Sequence, residues 1–223
     1  MRPIWIVALL ALLGLPALAT AKNDGPSPGN SNAFGAPLEF FMAAYWRWSL
    51  GASPSDHVGH VKFLPIPEGT PVSGSGTFAD PVVLVGSIDV TLHVGEAFAL
   101  PLESWVGETY DPSTGTPDDQ PLDESIFTRS NVLVVLDRRP LVDSGRGELD
   151  DLYFGPHYFH PPILYDTPTD YGSIGAIFVQ GLGFLHPPLS RQTHTLVVHS
   201  EIRIPDLDLG VIYRNTWTIH VVN

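Results

Sequence analysis

The chain has 223 residues, with 11 Lys and Arg against 24 Asp and Glu, a formal charge of −13 at pH 7, and no cysteine. A field of that sign repels phosphate backbones and argues against nucleic acid as a partner, whereas cations and cationic surfaces suit it better. Without cysteine there is no disulfide and no thiol nucleophile or ligand, so the fold rests on its core alone.

Residues 1–21 read MRPIWIVALLALLGLPALATA: one arginine, an apolar run over 4–15, then small residues. That order predicts a secretory signal peptide cleaved after Ala19 or Ala21. The run is shorter than the ~20 apolar residues of a spanning helix. The expectation is therefore a secreted or periplasmic protein with no membrane span. Residues 22–36, rich in Gly, Pro, Ser and Asn, predict a flexible tether.

A helix follows over 37–50, PLEFFMAAYWRWSL. Leu38, Phe41, Met42 and Tyr45 keep helical spacing, Gly51 stops the run, and Glu39 and Arg47 suit the helix dipole. Phe40, Ala44 and Trp48 make the remaining face apolar too, which predicts burial on two sides. From His60 onward the period becomes two, with strands expected at 60–64, 82–86, 88–94, 97–102, 131–136, 174–184, 193–204 and 210–222. Many short strands separated by turn residues predict an all-β fold. The expected architecture is a two-sheet antiparallel sandwich, immunoglobulin-like or jelly-roll-like, with one N-terminal packing helix, forming a single domain over 37–223. A six-residue turn, 205–210, would set Val198 opposite Trp217, Leu196 opposite Ile219 and Glu201 opposite Arg214.

Strand parity sorts the histidines of the C-terminal region. His194 shares a face with Leu196 and Val198, while His199 and His220 face outward and lie roughly 13 Å apart at ~3.3 Å per residue. These three cannot share one ion. No Gly-x-Ser-x-Gly elbow, Walker loop or dinucleotide-binding glycine pattern is present, so no motif fixes a reaction.

The richest candidate is LYFGPHYFHPPILYDTPTDYG, residues 152–172, with four tyrosines, two phenylalanines, His157 and His160. Read as a loop stiffened by Pro156, Pro161 and Pro162, it offers an aromatic platform of Tyr153, Tyr158, Phe159, Tyr165 and Asp166 for a glycan, a polymer or an extracellular protein. The alternative is a divalent cation, zinc or calcium, held by His157 and His160 with His186 or Asp166 as third ligand. That would make a metal-dependent hydrolase or lyase using a loop site within 152–188. A third reading is a structural envelope or matrix component, the aromatic loop then serving only to cover one end of the sandwich. The acidic stretches 111–124 and 143–151 offer oxygen ligands for calcium without the spacing of an EF-hand. The pair His57 and His60 in DHVGH is an equally weak metal pattern.

The segments AAYWRWSLGASPSDH, GHVKFLPIPEG, GEAFALPLESWVGE and LSRQTHTLVVHSEI followed by NTWTIHVV resemble a group of secreted bacterial proteins. In that group a Trp-rich helix precedes a β-sandwich. The resemblance implies a fold and an export route and carries no activity.

Overall fold

The apolar periodicity of LEFFMAAYWRWS becomes helix α1, Leu38–Ser49, in the computed structural model, which describes residues 33–147 and 149–223. The expected signal peptide and residues 22–32 of the expected tether lie outside the described residues. Pro37 occupies the N-cap in extended geometry, where its missing N–H is no loss. Leu50 donates to the Trp46 carbonyl at the other end, and Gly51, at φ +78°, takes the left-handed exit that glycine permits. Leu38, Phe41, Met42, Tyr45 and Trp46 are buried, whereas Phe40 is 49% exposed and Ser49 is exposed. The second apolar face is covered in part: Ala44 and Trp48 are half-buried against the same cluster, and Phe40 stands out. Among the described residues no helix is long and apolar enough to cross a membrane.

Among the described residues eleven strands follow: β1 His57–Val58, β2 Val61–Phe63, β3 Thr70–Ser73, β4 Val82–His93, β5 Ala97–Tyr110, β6 Asn131–Leu136, β7 Arg139–Asp143, β8 Tyr153–Leu164, β9 Ser173–His186, β10 Thr193–Ile204 and β11 Leu209–Val222. A one-turn helix, α2 Ser125–Thr128, lies between β5 and β6. The strands form two sheets, in the orders β1-β2-β5-β9-β8 and β3-β4-β11-β10-β6-β7. The fold is a β-sandwich with α1 laid on the outer face of the first sheet. Its sheets are mixed rather than wholly antiparallel, because β2 runs parallel to β5 and β4 runs parallel to β11.

Two layers cover the first sheet, so β5 and β9 are buried on both faces and read as near-continuous apolar runs. Phe98, Leu100, Leu102, Phe178, Leu182 and Phe184 point between the sheets, where they meet Leu196, Val198, Trp217 and Ile219. Ala97, Ala99, Ala176, Val179 and Leu185 face α1. The helix approaches closely where the sheet residue is smallest: a methyl group added at Gly183 would sit 2.3 Å from the Met42 sulfur. The polar tips of the buried rings are matched as burial requires. Tyr45 donates to the Leu64 carbonyl, Trp46 to the Ser104 hydroxyl and Trp217 to the Pro65 carbonyl.

The final hairpin corrects the expected register by two residues. Leu196 is opposite Trp217, Val198 opposite Asn215, and Glu201 opposite Ile212. The connection is a four-residue turn closed by the pair Ile204 and Leu209, with Asp208 at φ +44°. A shift of two preserves side-chain parity, so the expected face holds and Trp217 is fully buried. Glu201 pairs instead with Arg203 on its own strand, 2.6 Å away.

Candidate functional site

Residues 153–164, expected as part of a loop, form edge strand β8. An edge strand has one side free of ladder bonds, so Pro156, Pro161 and Pro162 are tolerated there. Register shifts after Phe154 and after Tyr158 absorb the extra residues. Along this strand the candidate residues separate by face. Phe154, Phe159 and Ile163 are buried against α1. Phe159 lies 1% exposed with the Arg47 guanidinium 5.2 Å above its ring, so it is a core residue and offers nothing to a ligand.

Tyr158 takes the opposite face. It is 46% exposed, rests on Phe178 with ring centres 5.5 Å apart, and stands near-parallel to the exposed His160 ring at 6.4 Å. Leu164, also exposed, ends the strand. Tyr153 lies half-buried against Phe127, and burial first, then the charges of Glu124 and Asp123, push its hydroxyl above the ordinary tyrosine range. Tyr153 is opposite Leu182 and Tyr158 opposite Phe178, two residues of one interior face. The two tyrosines therefore share a face, roughly 13 Å apart at ~3.3 Å per residue.

Tyr165 and Asp166 belong to the turn beyond β8. Tyr165 and Tyr171 both donate to Glu108 Oε1 at 3.0 Å, and burial together with the Glu108 charge raises both hydroxyls strongly. Tyr165 is thus tied into an acid–tyrosine cluster with Glu108, while Asp166 is exposed.

The expected metal trio does not assemble. His157 reaches back to α1, its Nδ1 2.9 Å from Glu39 Oε1, whereas His160 stands with Tyr158 on the other face. His186 is not in a loop: it ends β9, 3% exposed, stacked on Phe98 at 5.1 Å. It lies seven residues along β9 from Val179, the partner of His157, or roughly 23 Å away. Strand geometry therefore overturns the His157, His160 and His186 site. Among the described residues no three His, Asp or Glu side chains are placed to hold one ion. His199 and His220 also stay apart, since His220 is opposite Thr193, six residues or roughly 20 Å from His199. His57 pairs with Asp56 at 2.9 Å, and both His57 and His60 are exposed.

One Ser-His-Asp arrangement, invisible in the sequence, comes from the start of β10, the loop before it and the β6–β7 turn. His194 Nδ1 lies 2.6 Å from Asp137 Oδ2, and its Nε2 lies 3.4 Å from Ser190 Oγ. The same Nε2 is only 2.8 Å from the Ser190 carbonyl. A hydrogen on Nε2 serves that carbonyl, and a nitrogen carrying it cannot take the proton of the Ser190 hydroxyl. Asp137 also accepts from the Thr195 amide at 2.9 Å. The group is a clamp between two turns.

The acidic stretches meet elsewhere. Asp123 and Glu124 from the first and Asp150 from the second line an open depression of about 500 Å³, with Ser125, Thr128 and Arg129. At the start of α2 Asp123 accepts from the Ser125 hydroxyl and, at 2.8 Å, from the Ser125 amide, and these two bonds, the hydroxyl's first, hold its carboxyl below the usual range. Behind this segment lies Glu103, fully buried. A bulge sets Leu102 and Glu103 together against Leu182, turning the carboxyl between the sheets. There the Ser200 hydroxyl donates to Oε1, and burial pushes the carboxyl up to about 8 against the opposing effect of that bond. Gln180 donates to the Leu122 carbonyl at 2.9 Å. The Ser130 hydroxyl also hydrogen-bonds the carboxyl, whereas Gln180 Oε1 makes no well-aligned hydrogen bond. Sequence alone showed Glu103 only as one acid in an apolar run.

No protein-family model matches the chain, and no curated protein matches it.

Proposed function

We propose that the chain is an exported binding module whose ligand is a neutral glycan, taken along the outer part of β8. The observation that carries this is the exposed, near-parallel pair Tyr158 and His160 on a proline-stiffened strand. Flat rings stack on the apolar faces of sugars and lose few rotamers in doing so. The depression lined by Asp123, Glu124, Arg129 and Asp150 lies toward the Tyr153 end of the same face, and its charged groups suit hydrogen bonding to sugar hydroxyls. A chain of charge −13 favours neutral over anionic polymers. Export rests on the charge–apolar–small order of residues 1–21.

The test is electrophoresis through gels containing hydroxyethylcellulose, xylan, glucomannan or alginate. Retardation by at least one neutral polymer is expected, with none by alginate, and Tyr158→Ala should abolish it. Free migration of the unaltered protein in all four gels would sink the reading.

A further inference from the structure

Charge is divided between the two ends of the sandwich. Register brings the end of β6, the start of β10 and the end of β11 together, since Leu136 is opposite Leu196 and His194 opposite Ile219. Residues 94–96 join the end of β4 to the start of β5, so the first sheet shares this polarity. The turns at the other end, 111–124, 143–151, 165–172 and 205–208, all carry acids.

The acid-poor end presents Arg138 and Arg139 from the β6–β7 hairpin and Arg191 from the loop before β10, all exposed. Among the described residues none of the three forms an ion pair, whereas Lys62, Arg146 and Arg203 each hold a carboxylate. The acids of this end are engaged elsewhere, Asp137 with His194 and the Thr195 amide, and Glu96 with the His93 amide. One clamp fixes both arginine carriers, because His194 bonds Asp137 at the hairpin tip and the Ser190 carbonyl beside Arg191. The tip is also strained. Leu136 is opposite Arg139, which leaves Asp137 and Arg138 as a two-residue turn at φ +49° and +70°. Such a turn favours glycine at its second position, yet here that position holds an arginine. Strain held by fixed surroundings clusters at sites of recognition.

A convex, cationic tip fits a concave surface lined by acids, and this chain carries one. The depression of about 500 Å³ lined by Asp123, Glu124 and Asp150, with Arg129 in its wall, lies before the start of β6. The length of β6 separates the two, roughly 17 Å at ~3.3 Å per residue, so the hairpin cannot reach the depression of its own chain. We propose that copies of this chain associate end to end, the Arg138–Arg139 tip and Arg191 of one docking in the acidic depression of the next. The contact joins unlike surfaces, so it propagates into chains or closes into a ring. The depression then serves either a sugar or a second copy, while Tyr158 and His160 belong to neither docking surface.

The charge of −13 opposes association at long range. At ~0.15 M salt the Debye length is ~8 Å, shorter than the distance between the two ends, so a docked tip responds mainly to the acids it faces. At ~0.01 M whole-molecule repulsion prevails, and at ~1 M the contact itself is screened.

Sedimentation velocity of the full chain tests the proposal. At ~0.15 M salt the sedimentation coefficient should rise with concentration up to about 1 mM, and the rise should be lost at ~0.01 M and at ~1 M. Arg138→Gly with Arg139→Ser should stay monomeric, with a melting temperature no lower than that of the unaltered chain because glycine relieves the turn. Glu124→Gln with Asp150→Asn should also stay monomeric. Mixing the two variants should restore pairs that do not grow further, since each supplies the surface the other lacks. The proposal fails if the unaltered chain is monomeric at all three salts or associates most at ~1 M. It fails too if either variant associates like the unaltered chain, or if their mixture stays monomeric. Tyr158→Ala should associate normally, so the fate of the β8 reading is decided separately by polymer retardation.

Discussion

At the scale of single residues, Glu103 carries the clearest pH signature. Its carboxyl holds a proton up to about pH 8 in the folded chain, against an ordinary value of 4.5. Between those values the folded chain binds one proton more than the unfolded chain, so the slope of stability with pH is negative. Stability from this group is fully present below 4.5 and is lost as pH rises toward 8. Glu103→Gln keeps the shape and the acceptor for Ser200 but cannot ionise. Thermal melts from pH 5 to pH 9 should show the variant gaining on the unaltered chain as pH rises; a constant gap would mean that the carboxyl is already charged at pH 5. Trp217 is the second test. It is fully buried and donates to Pro65, and Trp217→Ala should cost about 3–5 kcal/mol in denaturant unfolding. Its burial was legible in the sequence because alternation fixes the face of a strand. Its partner was not, because alternation is blind to a shift of two, and the turn proved to be four residues rather than six.

Among the elements, α1 was legible nearly to its ends, from helical spacing, Pro37 and Gly51. β8 was not. Three prolines in ten residues read as loop, and only the edge position, a property of the assembled sheet, makes them compatible with a strand. That error carried the site with it. The rings of 152–172 were visible, but strand parity, not local sequence, sends Phe159 inward and leaves Tyr158 and His160 outside. The same parity separates His157 from His160, which a loop could have brought together. The role of α1 can be tested directly. It covers Ala97, Ala99, Phe154, Ile163, Val179 and Leu185. A chain beginning at Gly51 would expose that apolar face and should aggregate or melt far below one beginning at Lys22. Equal melting temperatures would show α1 to be dispensable to the sandwich.

For the whole molecule, the charge of −13 separates kinds of partner. Attraction to a cationic partner would weaken steeply as the Debye length falls from about 30 Å at 0.01 M salt to about 3 Å at 1 M. Stacking of a neutral sugar on Tyr158 has no such dependence. Retardation in neutral polysaccharide gels should therefore be nearly unchanged across that range of salt, and a sharp loss would indicate an ionic partner instead. The sandwich itself was legible from the succession of short alternating runs. Its two parallel pairings were not, since alternation looks the same in either direction.

The position of β11 sets a schedule for the chain. It is the last strand in sequence, yet it lies in the middle of the second sheet, hydrogen-bonded to β4 on one side and β10 on the other. Until it arrives, those two strands present open edges and the sheet exists only in halves. A chain emerging N-terminus first, from a ribosome or through a membrane pore, therefore cannot close this domain early. It stays threadable until residues 209–222 are free, and the pairing of distant segments β4 and β11 then completes the fold in one late step.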